Sequence, residues 1–406
     1  MANAQFRPPT AETWADPWPM YRALRDHDPV HHVVPDGNSS ADYYVLSRHA
    51  DIWSAACDDE TFAPNPDPAR DINHDELKSL GLQDNSPTWR HDPRTYHSEF
   101  RKLVSRGFAT RQVELKVRGF VVERIERLRA NGGGDIVAEL FEPLPAMVVA
   151  DYLGVPEADR GLFDGWTRAI VAANLADADF ANGVKSAVAA FTTMMVYFIE
   201  LIKLRRRVPG QDAISELVAA GVGVDGDIVG MLSVLAFVFT TIASGIDTTT
   251  GMLGGSMQLL HQRPDQRRLL VENPEHIPAS LDEFLRLTSP VQGKGRTVTR
   301  DVTIGNVTVP EGCRVLFLYG SANRDERQYG PDAGELNVLR QPRNILTFGH
   351  GGHRCLGVSA VRMQSRVAFA ELLSRCPDFE IDESAIVWAG GSLVRRPLSV
   401  PFRAGS

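Results

Sequence analysis

A chain of 406 residues with 43% hydrophobic, 8% aromatic and 23% charged side chains has a globular make-up. That composition excludes disorder, collagen, a coiled coil and a disulfide-stapled miniprotein. The net charge of −8, from 43 Lys+Arg against 51 Asp+Glu, gives no footprint for nucleic acid, so any basic patch is local. Gly and Pro are dispersed with no linker to cut at, and 1–406 is expected to form one domain. Met1 to Pro9 lacks the regions of a signal peptide, which points to a cytoplasmic protein. There, Cys57, Cys313, Cys355 and Cys376 are expected as free thiols.

Along the chain, Pro17 to Asp28 predicts a short helix, Tyr43 to Ser47 a strand, and His97 to Gly107 a helix entered through the Asp92-Pro93 turn. Amphipathic stretches follow at Val113 to Ala130, Pro145 to Leu153, Lys185 to Arg206 and Ala213 to Ala220. Ile228 to Ile246 is nineteen residues without a charge. It fails as a membrane span, because Gly230, Ser233, Thr240, Thr241, Ser244 and Gly245 interrupt it and acids, not Lys or Arg, flank it. The reading is a helix buried at the centre of the protein. Helices are expected again at Asp265 to Val271 and Ile277 to Leu287. Strands Val302 to Ile304 and Val307 to Val309 alternate around Gly305-Asn306, and Arg314 to Leu318 makes another. The fold class is mainly α with small β-sheets.

Two motifs are decoys. Gly221 to Gly226 matches G-x-G-x-x-G, but a helical segment precedes it where a dinucleotide site needs a strand. His350, His353 and Cys355 lie at short spacing without a fourth zinc ligand nearby. A nucleophilic Cys355 would need a general base and an orienting residue elsewhere.

The informative segment is Phe348-Gly-His-Gly-Gly-His353-Arg354-Cys355-Leu-Gly357. Glycines around a cysteine let backbone amides approach the sulfur, which is what a metal-bound thiolate needs to stay deprotonated. Val358, Val361, Ala368 and Leu372 share one helical face, so Cys355 stands just before a helix whose N-terminal end favours negative sulfur. The pattern F-x-x-G-x-H-x-C-x-G resembles the haem-binding signature of the cytochrome P450 family. The resemblance runs along most of the chain, and the N-terminal third and Asp325 to Arg343 are similar to a mycobacterial branch, the one-hundred-and-thirty family.

Further motifs fall in the family's order. Glu283-Phe-Leu-Arg286 resembles its E-x-x-R pair, with Arg340 as candidate third partner, although Leu336-Asn-Val-Leu-Arg340 departs from the usual context. Ser244-Gly245-Ile246-Asp247-Thr248 resembles the oxygen-activation motif, in which Asp247 and Thr248 would relay protons; Ser244 stands where Ala or Gly is usual. The resemblance implies the triangular-prism P450 fold, with haem b between the central helix and the cysteine-loop helix and Cys355 as the axial ligand of iron. Phe348 and Gly357 would line the ligand loop, and His97, Arg101, Arg296 and His353 would face the propionates. The substrate pocket would take Thr240, Ala243, Ser244, Val291, Gln292, Leu393 and Val394, under lids at Phe62 to Arg90 and Ile170 to Ala190.

Thiolate ligation favours cleavage of the O–O bond, so the implied activity is insertion of one atom of O2 into a lipophilic small molecule. Electrons from NAD(P)H would arrive through a separate ferredoxin reductase and ferredoxin, for which Arg354, Arg362 and Arg366 form a candidate docking patch or, alternatively, a solvated helix face. The protein is expected as a monomer, with a dimer left open. The competing readings are a haem-thiolate binding or sensor protein and a peroxygenase of the same fold.

Overall fold

The structure, a computed structural model, describes residues 5–35, 42–64, 93–104, 111–173 and 180–405, without the side chains of 93–98, 111, 168, 170–173 and 180–187. Most of the expected lid Phe62 to Arg90, residues 174–179 of the other, Asp92 and the His97 side chain fall outside the described residues; the rest of the second expected lid is not a loop but the end of helix Arg160–Ala173 and the start of helix Phe180–Arg207.

The helices expected from periodicity are present at Trp18–His27, Pro93–Val104, Arg111–Ala130, Pro143–Tyr152, Phe180–Arg207, Ala213–Ala219, Pro264–Glu272 and Ile277–Thr288. Prolines stand in the first turn of several of them, where no amide partner is lost. The central helix is the main difference. It runs from Ile228 to Gln262, 35 residues, so about 50 Å, far past the expected end at Ile246. Asp247 and three threonines end the apolar run, yet they do not end the helix. Thr248 and Thr249 donate their hydroxyls to the carbonyls of Ser244 and Gly245, and Thr250 donates to Phe141 O on a neighbouring π-helical turn. The Asp227 carboxylate accepts from the amides of Gly230 and Gly223 at 2.7 and 3.0 Å, capping the start. Gly221 to Gly226 is therefore the turn between two helices.

A five-stranded sheet is ordered Val30–Val33, Tyr43–Leu46, Arg314–Phe317, Lys294–Val298, Phe62–Pro64. Lys294–Val298, K-G-R-T-V, carries little strand signal of its own. It is held from both sides, Arg296 pairing with Val315 and with Pro64. The expected hairpin Val302–Ile304 and Val307–Val309 forms as a separate pair. Helices His49–Ala55 and Arg160–Ala173 were not expected from the sequence.

The central helix joins two apolar clusters. Val234, Val238, Ile242 and Ile246 pack with Phe163, Phe198 and Leu217; Met252, Leu253, Met257 and Leu260 pack with Phe284, Phe369 and Leu372. Between them one face stays open: Thr240, Ala243 and Ser244 are exposed, in line with exposed Leu232 one end on.

Candidate active site

The cysteine loop is held by its glycines. Gly349 and Gly351 take φ of 68° and 73°, left-handed values that suit glycine. A Cβ at Gly351 would also collide with the carbonyl oxygen of Ala56, just past helix His49–Ala55. His350 stacks on Trp53 of that helix with ring centroids 3.4 Å apart. The Cys355 amide donates to Phe348 O at 2.8 Å and closes the loop. The Gly357 amide donates to Cys355 Sγ at 3.3 Å, and Gly357 is the N-cap of helix Val358–Arg375. Sulfur thus sits at a helix N-terminus with one amide aimed at it. Cys355 is accessible to solvent yet densely ringed by protein, as the floor of a recess is. Those surroundings push its thiol up, against the Gly357 amide, Arg101 and Arg354.

The cysteine loop and the central helix share a core, since Leu356 and Ala360 belong to one apolar cluster with Ile242 and Ile246. Of the cations expected there, Arg101 bears on the Cys355 sulfur. Arg296 is buried, and its Nη1 donates to the adjacent Gly295 O; among the described residues no carboxylate pairs with it. Arg101 donates to Arg354 O, and burial lowers its pKa. A buried guanidinium without an acid is stable beside an anionic group. One thiol with an amide donor, a guanidinium lacking an acid and an open stripe on an otherwise apolar helix fit an iron porphyrin with its propionates.

Comparison with known proteins agrees. A model of the family described as Cytochrome P450 matches residues 229–385. Cytochrome P450 130 of Mycobacterium tuberculosis is 65% identical over 405 residues, covering 99% of this chain and 98% of that one. The chain belongs to the cytochrome P450 family. This P450 is also 31% identical to a vitamin D(3) 25-hydroxylase of Pseudonocardia autotrophica, over 97% of the chain and 94% of the relative. Its fold matches the Bacillus subtilis P450 PksS with a TM-score of 0.80 at 26% identity, covering 99% and 100% of the two chains. As a family member it is a haem-thiolate monooxygenase.

In this P450 the other motif residues lie as follows. Arg286 Nε and Nη2 donate to the two oxygens of Glu283 at 2.8 and 2.7 Å, both side chains fully buried. Arg286 Nη1 reaches Asn323 O and Ala333 O, and Arg340 Nε reaches Glu283 at 3.1 Å despite its unusual context. One carboxylate thereby ties a helix to the segment Asn323 to Arg340.

Some expectations need correction. Gln292 does not line the recess: it is 0% exposed, accepts from Tyr21 OH at 2.8 Å and donates to the carbonyls of Thr288 and Ser289. An amide so fully bonded faces the N-terminal helix. Leu393 packs on the N-terminal cluster with Trp14 and Trp388, whereas Val291 and Val394 bridge each other and are half-buried. His353 Nε2 lies 3.6 Å from Asp59 Oδ2. Asp247 and Thr248 are not joined: Thr248 donates to Ser244 O at 2.8 Å, and Asp247 faces Arg396 at 3.4 Å. In the docking patch, Arg362 is bidentate to Asp282 and Arg366 is 2.7 Å from Glu114, which neutralises two of its three arginines. Arg396 was missed altogether. Its signal is the Arg395-Arg396 doublet in an apolar stretch, outside the cysteine-loop, E-x-x-R and oxygen-activation motifs.

Proposed function

We propose that this P450 takes electrons from NAD(P)H through a ferredoxin reductase and a ferredoxin and hydroxylates or epoxidises a lipophilic small molecule in the cytoplasm. The observation that carries the reading is the Gly357 amide on Cys355 Sγ in the glycine-rich loop. Bound there, haem b would supply activation of O2. The residues of the chain do the rest. Cys355 would hold the iron, and the Gly357 amide would support the negative charge of its sulfur. Arg296 and Arg101 would anchor the carboxylates of the group. The exposed stripe of Thr240, Ala243 and Ser244, joined by Val291 and Val394, would line the substrate pocket.

Ser244 and Thr248 both spend their protons on i−4 carbonyls, at 2.6 and 2.8 Å. Their oxygens turn lone pairs to the recess, so a donor group on a substrate or a water is what they take up. Asp247 is assigned to bring protons to that water. The relatives named for a vitamin D(3) 25-hydroxylase and for a mycinamicin IV hydroxylase/epoxidase support a bulky, largely apolar substrate.

The test is spectral. C355A should lose the carbon monoxide difference band of the reduced protein near the Soret region, and an unchanged band would remove the ligand assignment. Turnover with NAD(P)H and a surrogate ferredoxin exceeding peroxide-driven turnover separates the monooxygenase from a peroxygenase, and any substrate-dependent NAD(P)H consumption separates it from a binding protein.

A further inference from the structure

The cation facing Asp247 comes from the far end of the chain. Arg396 Nε lies 3.4 Å from Asp247 Oδ1, the side chains being 3% and 15% exposed. No hydrogen bond reaches that carboxylate from the described residues. Arg396 stands where it does because the backbone around it is pinned. Gln292 donates to Leu393 O at 2.8 Å, Arg395 donates to Pro290 O at 2.7 Å, and Ala389 donates to Arg396 O at 3.0 Å. Two bare glycines of the central helix complete the seat. A Cβ on Gly251 would lie 2.7 Å from Arg395 O and 3.2 Å from Arg396 Cβ, and one on Gly254 would strike Pro397. Gly251 is one turn beyond Asp247 on the same helix face, so close packing of the segment delivers Arg396 to the acid.

We propose that Arg396 is a positioning residue for proton delivery, holding the Asp247 carboxylate ionised and turned to the C-terminal segment rather than to the Thr248 hydroxyl. This rests on the role given to Asp247 above. Asp247 is free to face the recess only when the pair opens. Electrostatics agree. Burial raises the pKa of Asp247, and Glu142, at the start of helix Pro143–Tyr152, raises it further; Arg396 opposes both. These are the charged groups that face Asp247 from the elements packed on it.

The experiment is an infrared pH titration of the haem-loaded protein, with the carboxylic acid band of Asp247 assigned by its loss in D247N. In R396Q the band should persist to higher pH by about one unit, a tenfold change in proton affinity, and R396K should restore the wild-type titration. R396Q titrating as the wild type does would overturn the proposal. Where R396Q does not fold, the D247N/R396Q double variant decides: recovery of folded protein shows that the fault was an orphaned buried acid, and equal loss refutes the pairing. If the band moves while the pH profile of coupling between O2 uptake and product does not, Arg396 controls Asp247 as proposed, and the relay role of Asp247 is what fails.

Discussion

Cys355 shows how little a single residue carries alone. Its proposed role as a ligand rests on Gly357, which presents an amide to the sulfur at 3.3 Å, and on Gly351, which lets the loop lie against Ala56. G351A should cost about 2 kcal/mol or more, from a left-handed φ of 73° together with the clash on the Ala56 carbonyl, read as a fall in the urea midpoint and in haem retention. Asp247 carries a pH dependence whose sign follows from its raised pKa. A buried acid raised above its unfolded value stabilises the fold only while protonated, and that contribution is lost as pH rises through the folded pKa. Unfolding midpoints followed upward from mildly acid pH should therefore fall less steeply in the D247N/R396Q double variant than in the wild type. The Cys355 pattern was legible in the sequence because glycine and cysteine are recognised by identity at fixed spacing. The state of Asp247 was not, because its partner lies 149 positions away.

Among the elements, the helix Ile277–Thr288 and the central helix behave differently toward their neighbours. The first exports one ion pair: Glu283 and Arg286 are both fully buried, and Arg340 closes on the same carboxylate. E283Q leaves Arg286 buried with no countercharge, so a loss of about 3–5 kcal/mol is expected in chemical denaturation. R340A should cost less, since Arg340 is only partly buried and Glu283 keeps Arg286. The central helix receives its neighbours on glycines. G254L should push Pro397 and the strand Pro397–Ser399 away, and the titration of Asp247 should shift in the direction seen for R396Q, which the same infrared measurement checks. Periodicity revealed both helices, but the end of the central one was misplaced by sixteen residues. Apolar content drops at Asp247, while the backbone bonds of Thr248 to Thr250 continue the helix for local and tertiary reasons that a hydropathy pattern does not contain.

At the scale of the whole molecule, charge is arranged locally and mostly cancelled. The proximal face around the cysteine loop offers Arg354, whereas Arg362 and Arg366 are held by Asp282 and Glu114. R354E should slow the first electron transfer from ferredoxin by about two- to tenfold at low salt, with the difference shrinking as salt rises. R362E should add a stability loss, because it sets two carboxylates against each other at Asp282. Stopped-flow reduction and thermal unfolding separate the two effects.

Residue identity and spacing along the chain determined the family, the glycine-rich loop around Cys355, the paired Glu283 and Arg286, and most helices, since each depends on residues within a turn or two of one another. The tertiary structure alone decided that Arg396 faces Asp247, that Gln292 belongs to Tyr21 and not to the recess, that Lys294–Val298 is a strand, and that Asp282 and Glu114 hold Arg362 and Arg366. Those outcomes are contacts across tens to hundreds of positions. Nothing local encodes them, because a charge or an amide takes the partner that burial and packing bring within about 3 Å, and only the folded chain fixes which one that is.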